Sequence, residues 1–245
     1  MISGVGESAC LSYHNTDLIL AVLGGAVFIG HYGPAFGAKA AVRRVPLWIY
    51  FVAVQWLDVV WSILVMAGVE KVKIVPGFTQ GSSLDLYCMP YTHGLIGALI
   101  LSALFGGVVA LILGGARPWA VFLAVFAASF SHWLLDLAVH MPDLWIYDGV
   151  KLGFGLWRWL WISLPLELFL LFAGAWLYAR LMPARPGGNL WLWLFVLAMS
   201  GLEIYSVYGS PASTPAGFAQ SALLAYGSLA LLAGFVDLSR AKASA

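Results

Sequence analysis

The sequence predicts an all-α polytopic membrane helix bundle, and three observations carry that prediction. Hydrophobic residues make up 62% of the 245-residue chain and charged residues only 9%, too little polar surface to clothe a soluble domain. Apolar runs of about 20 residues recur along the whole length, each long enough to cross about 30 Å of hydrocarbon as a helix. The basic residues collect in alternate connecting segments, the pattern that sets the orientation of a multi-pass chain.

The apolar runs fall at 17–36, 47–67, 91–113, 118–140, 157–180, 190–208 and 216–238, about seven transmembrane helices in a single domain over 1–245. The first lacks a basic flank and a small-residue cleavage site, so it is expected to be retained. With the N-terminus outside and the C-terminus inside, Lys39, Arg43, Arg44, Arg117, Arg180, Arg185, Arg240 and Lys242 lie on the inner side. Only Lys71, Lys73, Lys151 and Arg158 lie on the outer side, as positive-inside counting requires. Residues 1–16 then form an outer N-terminal segment. The outer loop 68–90 exceeds ordinary connections, and its Val, Ile, Phe, Leu and Tyr residues predict a packed lid. Cys10 and Cys88 both fall outside, where an oxidising compartment allows a disulfide; two free thiols are the alternative. The tryptophans of LWRWLWIS and LWLWLF read as an aromatic belt with Arg158 at headgroup level. A net charge of +1 points to neither a nucleic-acid partner nor a polybasic lipid anchor.

Away from the ends of these runs stand His31, Asp58, His93, His132, Asp136, Glu167 and Glu203, with His140 closing the fourth. Each costs about 2.5 kcal/mol or more in hydrocarbon, so a cluster of them signals function. The segment SHWLLDLAVHMPD is the densest. His132 and Asp136 are four residues apart, about 40° and 6 Å on a helix, and share one face. His140 stands about 12 Å from His132 along a continuous helix, too far for the same ion without distortion, and fits a proton donor or part of the site's mouth. Glu167 follows Pro165, where a kink admits water, and is a second catalytic candidate beside a structural reading. Counting from the outer ends places all of these in the outer half of the membrane except His31, which comes out deeper. Simpler readings exist for each: His93 bonded to a backbone carbonyl, Asp58 a neutral packing carboxyl, Glu203 snorkelling to the headgroups, Asp143 a loop residue. Imidazole with carboxylate is the donor set of zinc and also suits manganese or iron.

The succession GHYGPAF, QWLDVVW, PYTHGL and SHWLLDLAVH, over roughly residues 28 to 143, resembles the YdjM-like family of inner-membrane metal-dependent hydrolases. It is also similar, more distantly, to the zinc-dependent phospholipase C and nuclease superfamily. The resemblance implies metal-ligand roles for His31, Asp58, His93, His132 and Asp136, and a bacterial-type inner (plasma) membrane location. The chain departs from the family pattern in two places: Gln55, Trp56, Leu57 and Asp58 stand where the family shows Pro-Asp-x-Asp, and Gly94 stands where it shows Ser. The last three helices lie outside the resemblance. The function expected is hydrolysis of a lipidic or amphipathic ester or phosphoester at the outer leaflet, with membrane lipids as partners. A proton- or ion-coupled transporter and a non-catalytic subunit of a membrane complex are the alternatives.

Overall fold

The computed structural model describes residues 29–147 and 149–240. The run at 17–36 lies mostly outside these residues, as does Cys10 and hence its pairing with Cys88, which sits on a strand. After a 3₁₀ turn at Ile29–His31 come the α-helices α1 (Tyr32–Ala41), α2 (Leu47–Val54), α3 (Trp56–Met66), α4 (Leu95–Leu113), α5 (Pro118–Val139), α6 (Leu160–Leu181), α7 (Gly188–Tyr208) and α8 (Pro215–Leu238). Two antiparallel hairpins interrupt them, β1 (Lys71–Ile74) with β2 (Leu84–Cys88) and β3 (Leu144–Tyr147) with β4 (Val150–Leu152).

Among the described residues, five helices, α4 to α8, are long and apolar enough to cross a membrane, and a sixth span is made if the bent pair α2 and α3 is counted as one. Their outward surfaces are apolar: Ile96, Ile100, Leu104, Leu111 and Ile112 on α4, Leu231 and Phe235 on α8. This inverts the polar exterior of a water-soluble bundle and matches lipid as the surrounding solvent. Helix starts follow local chemistry. Pro118 and Pro215 occupy first-turn positions where their missing N–H costs nothing, and the Thr214 side chain accepts the N–H of Gly217 at 3.1 Å. Pro165 sits inside α6, which continues through it to Leu181.

The run 47–67 is not one helix. It breaks at Gln55, and its halves meet at 53°. No proline or glycine marks the place. The cause is tertiary: the carbonyl of Val54 turns out of the helical ladder to meet Nδ1 of His132 at 2.7 Å, and such an inserted partner bends a helix.

Long loop 68–90 folds as the β1–β2 hairpin. Its alternating residues bury Val72, Leu84 and Leu86, and its turn closes through Thr79, whose hydroxyl accepts the Ser82 N–H at 2.9 Å. The second hairpin lies in a stretch for which the sequence predicted none, and Lys151 ties it to the first by donating to the Tyr87 carbonyl at 2.9 Å.

Two apolar clusters result. One fills the helices toward the end that carries Lys39, Arg43 and Arg185, with Phe36, Phe51, Tyr178, Leu192 and Phe195. The other lies beneath the hairpins, with Leu57, Trp61, Leu86, Met89, Trp157 and Phe218. The polar residues gather where the two meet.

Candidate metal centre

Asp136 is the hub. Its Oδ1 lies 3.2 Å from Nε2 of His31 and 3.4 Å from Nε2 of His140, and its Oδ2 lies 3.2 Å from Nε2 of His132 and 3.4 Å from Nε2 of His93. Asp58 adds Oδ1 at 3.3 Å from His93 Nε2 and 3.5 Å from His132 Nε2. All six side chains are buried. The five residues expected as metal ligands are therefore brought together, from the 3₁₀ turn, α3, the turn before α4, and α5.

His140 reaches Asp136 Oδ1 as its neighbour four residues on, but it belongs to neither set of candidate ligands, as its distance from His132 along the helix led one to expect. The helix ends at Val139, and His140 adopts extended backbone (φ −64°, ψ 150°). His31 belongs to the cluster. It precedes α1 in the 3₁₀ turn rather than lying within a helix over 17–36, so depth counted along such a helix does not apply.

The distal nitrogens show how the rings are aimed. His132 Nδ1 faces the Val54 carbonyl at 2.7 Å. His93 Nδ1 meets Thr92 Oγ1 at 2.8 Å, and that hydroxyl donates to Glu70 Oε2 at 2.6 Å. His140 Nδ1 meets Asp143 Oδ1 at 3.0 Å. A carbonyl oxygen only accepts, so the Nδ1 of His132 carries a proton, and in the neutral ring its Nε2 presents a lone pair to the centre. The same holds at His93, whose Thr92 partner spends its own proton on Glu70. Tethers of this kind are what orient metal-binding imidazoles.

A lone pair aimed at a carboxylate oxygen is repulsive unless a proton or a metal ion lies between them. The N···O separations of 3.2–3.5 Å at His93 and His132 match the edge of about 3.3 Å between two ligands each about 2.05 Å from a tetrahedral ion. Asp136 Oδ2, although buried between two imidazoles, accepts no hydrogen bond from any described residue. An orphaned carboxylate oxygen is costly in hydrocarbon, and a divalent ion would satisfy it. Two overlapping donor sets have all their ligand atoms within 4.8 Å of one another: His31, His132 and Asp136, and Asp58, His93 and His132. The donor set and its spacing fit a metal ion.

Around this centre the fold adds groups that sequence reading passed over. Tyr226 of α8 donates to Asp58 Oδ2 at 2.7 Å, so the seventh apolar run also contributes. Glu70 accepts the N–H groups of Tyr91 and Thr92 at 2.8 and 2.9 Å and so clamps the turn that carries His93. Asp143 is the partner of His140, not a bare loop residue. Trp157, read as part of an aromatic belt, is 2% exposed and its ring lies 4.3 Å from that of His140. Glu203 does not snorkel: it is buried beside Glu167 and the backbone of Ile29.

Glu167 accepts the Gly30 N–H at 2.6 Å and so fixes the backbone just before His31. A Cβ at Gly30 would collide with that carboxylate, so glycine is required by the approach itself. Above Asp58, His93, Asp136 and His140 lies a cavity of about 20 Å³ walled by Trp61, Leu84, Leu86, Met89, Trp157 and Phe218. That is room for a water molecule but not for a larger ligand. Glu167 does not line it. Compared with protein-family models, with curated proteins and with solved structures, the chain gives no match.

Proposed function

We propose that this protein is a membrane-embedded metal-dependent hydrolase of lipidic or amphipathic esters or phosphoesters. The observation that carries the reading is the meeting of the Nε2 atoms of His31, His93 and His132 with two aspartates in two overlapping buried donor sets, with Asp136 Oδ2 accepting no hydrogen bond from any described residue. The resemblance to the YdjM-like hydrolases, which rests on motifs in the same residues, supports it. Zinc is the first choice from the donor set, with manganese or iron as alternatives. Asp136 turns one oxygen toward His31 and His140 and the other toward His93 and His132.

A bound divalent ion supplies Lewis acidity, which makes a water nucleophilic near neutral pH and polarises an ester oxygen. The chain's own residues do the rest. His31, Asp58, His93, His132 and Asp136 hold the charge in place. His140 lines the cavity while Asp143 holds its Nδ1, and in this reading a protonated His140 is the general acid that supplies the leaving oxygen's proton. Glu167 acts in this reading by positioning His31 and not by proton transfer. The apolar wall excludes bulk water and suits a substrate entering from lipid once the β1–β2 hairpin moves as a lid. Positive-inside counting places the hairpin end at the outer face of a bacterial-type inner membrane, with the chain N-out and C-in.

The smallness of the cavity favours a second reading, in which the ion is structural and the protein is a non-catalytic subunit. The transporter alternative is weakened by the apolar cluster of Phe36, Phe51, Tyr178 and Leu192, which interrupts any polar path to the opposite end.

The deciding experiment is elemental analysis of detergent-purified protein before and after chelation, with the His132→Ala, Asp136→Ala double variant alongside, followed by a lipid phosphoester screen. Hydrolase function predicts near-stoichiometric zinc, manganese or iron, its loss in the double variant, and turnover that His140→Gln abolishes while keeping the metal. Stoichiometric metal retained by the double variant overturns the site. Bound metal with no turnover on any lipid ester leaves the structural-subunit reading.

A further inference from the structure

We propose a second binding site, for the phosphate headgroup of an anionic phospholipid, at the basic end of the bundle. A cavity of about 690 Å³ opens there, between the C-terminal ends of α1, α6 and α8 and the start of α2, within the range of ligand pockets. Its basic lining is Lys39, Arg43, Arg185 and Arg240. The one acid in the lining, Asp237, is already committed: it pairs with Lys39 Nζ at 3.0 Å and accepts the Tyr178 hydroxyl at 2.8 Å and the Leu47 N–H at 3.1 Å. Among the described residues, the three arginines pair with no carboxylate.

Arg240 carries the argument. Its side chain is 3% exposed and its guanidinium lies over the Tyr178 ring at 4.9 Å. Nη1 donates to Asn189 Oδ1 at 2.7 Å, and more distantly to the Met182 carbonyl at 3.5 Å. Nε and Nη2, both buried, donate to no described residue. A buried cation with unmade hydrogen bonds is a standing cost. The unmade edge, Nε–H beside Nη2–H, is the fork that grips two oxygens of a phosphate.

The rest of the wall identifies the phosphate's bearer as a lipid. Trp48, Leu231 and Phe235 border the cavity and are 46%, 79% and 63% exposed, a path for an acyl chain running down α8 from a headgroup held among the arginines. A free anion would have no use for that surface. Positive-inside orientation places this end at the inner leaflet, and basic pockets between helices on that side are where acidic headgroups bind. This site is separate from the metal centre: Lys39 is eight residues, about 12 Å, beyond His31 on α1, with the apolar cluster of Phe36, Phe51 and Leu192 between.

The test is native mass spectrometry of the full chain in detergent micelles doped with phosphatidylglycerol, or with phosphatidylcholine of the same acyl chains, beside a thermal-shift series with inorganic phosphate. One phosphatidylglycerol per chain is expected, retained at least about tenfold better than phosphatidylcholine, with a loss of about fivefold for each arginine neutralised. Arg240→Gln reads the buried fork. Arg185→Gln reads the same site from an exposed position and decides the matter if the first variant fails to fold. Unchanged metal content in the variants separates this result from any failure of the metal centre. Equal retention of the two lipids, an undiminished preference in Arg185→Gln, or full stabilisation by inorganic phosphate alone overturns the proposal.

Discussion

The imidazoles that face the centre are aimed from behind, and each tether differs in how visible it is in the sequence. Asp143 is three residues from His140 and Thr92 is adjacent to His93, so both pairs stand side by side in the chain. Glu70 and Tyr226 are 22 and 168 residues from the groups they hold, and no spacing rule links them. Thr92 relays His93 to Glu70, which leads to a specific expectation. Thr92→Val keeps the shape but removes the hydroxyl, so metal affinity should fall about 10- to 100-fold, as read by competition with a chromogenic chelator, while the thermal midpoint of the metal-free protein changes little. An affinity equal to that of the unaltered protein would show that His93 is not a ligand. Gly94 is explained at the same level. A Cβ there would collide with the Pro90 carbonyl, so a serine at this position cannot be accommodated without moving the turn that presents His93.

Two features of the helices bring the site together. The break between α2 and α3 frees the Val54 carbonyl for His132 and restarts the helix so that Asp58 lies in its first turn. The crossing of α1 over α6 brings backbone against backbone at Gly33 and Gly174, where any Cβ would overlap the opposite chain. Close approach through small residues is how helices pack in lipid, where hydrophobic driving force is absent. That crossing also delivers Glu167 to Gly30. Gly174→Val should therefore separate the helices, lower stability by about 1–3 kcal/mol and weaken metal binding by displacing His31. Thermal denaturation in detergent with parallel metal analysis checks both. A destabilised variant with unchanged affinity would mean that His31 contributes nothing to the metal.

The whole molecule is polar along its length, with the hairpins and the aspartate–histidine cluster at one end and the uncompensated arginines at the other. In a variant whose native cysteines are replaced by serine, Gln80→Cys at the hairpin tip should react with a membrane-impermeant maleimide in intact cells, and Ala116→Cys in the α4–α5 connection only after lysis. The reverse pattern would invert the orientation and move the candidate metal centre to the other leaflet. Composition and the recurring apolar runs were enough for a helical membrane bundle, because the length of a span is dictated by the bilayer and is written in consecutive residues. That the five candidate residues would come together was legible for a related reason: an ionisable residue in an apolar run is conspicuous wherever it folds. Nothing consecutive encodes the break at Gln55, the burial of Trp157, or the arrival of Tyr226 and Glu70. Those depend on which distant surfaces meet, and packing settles that by satisfying buried polar groups that no single segment can satisfy alone.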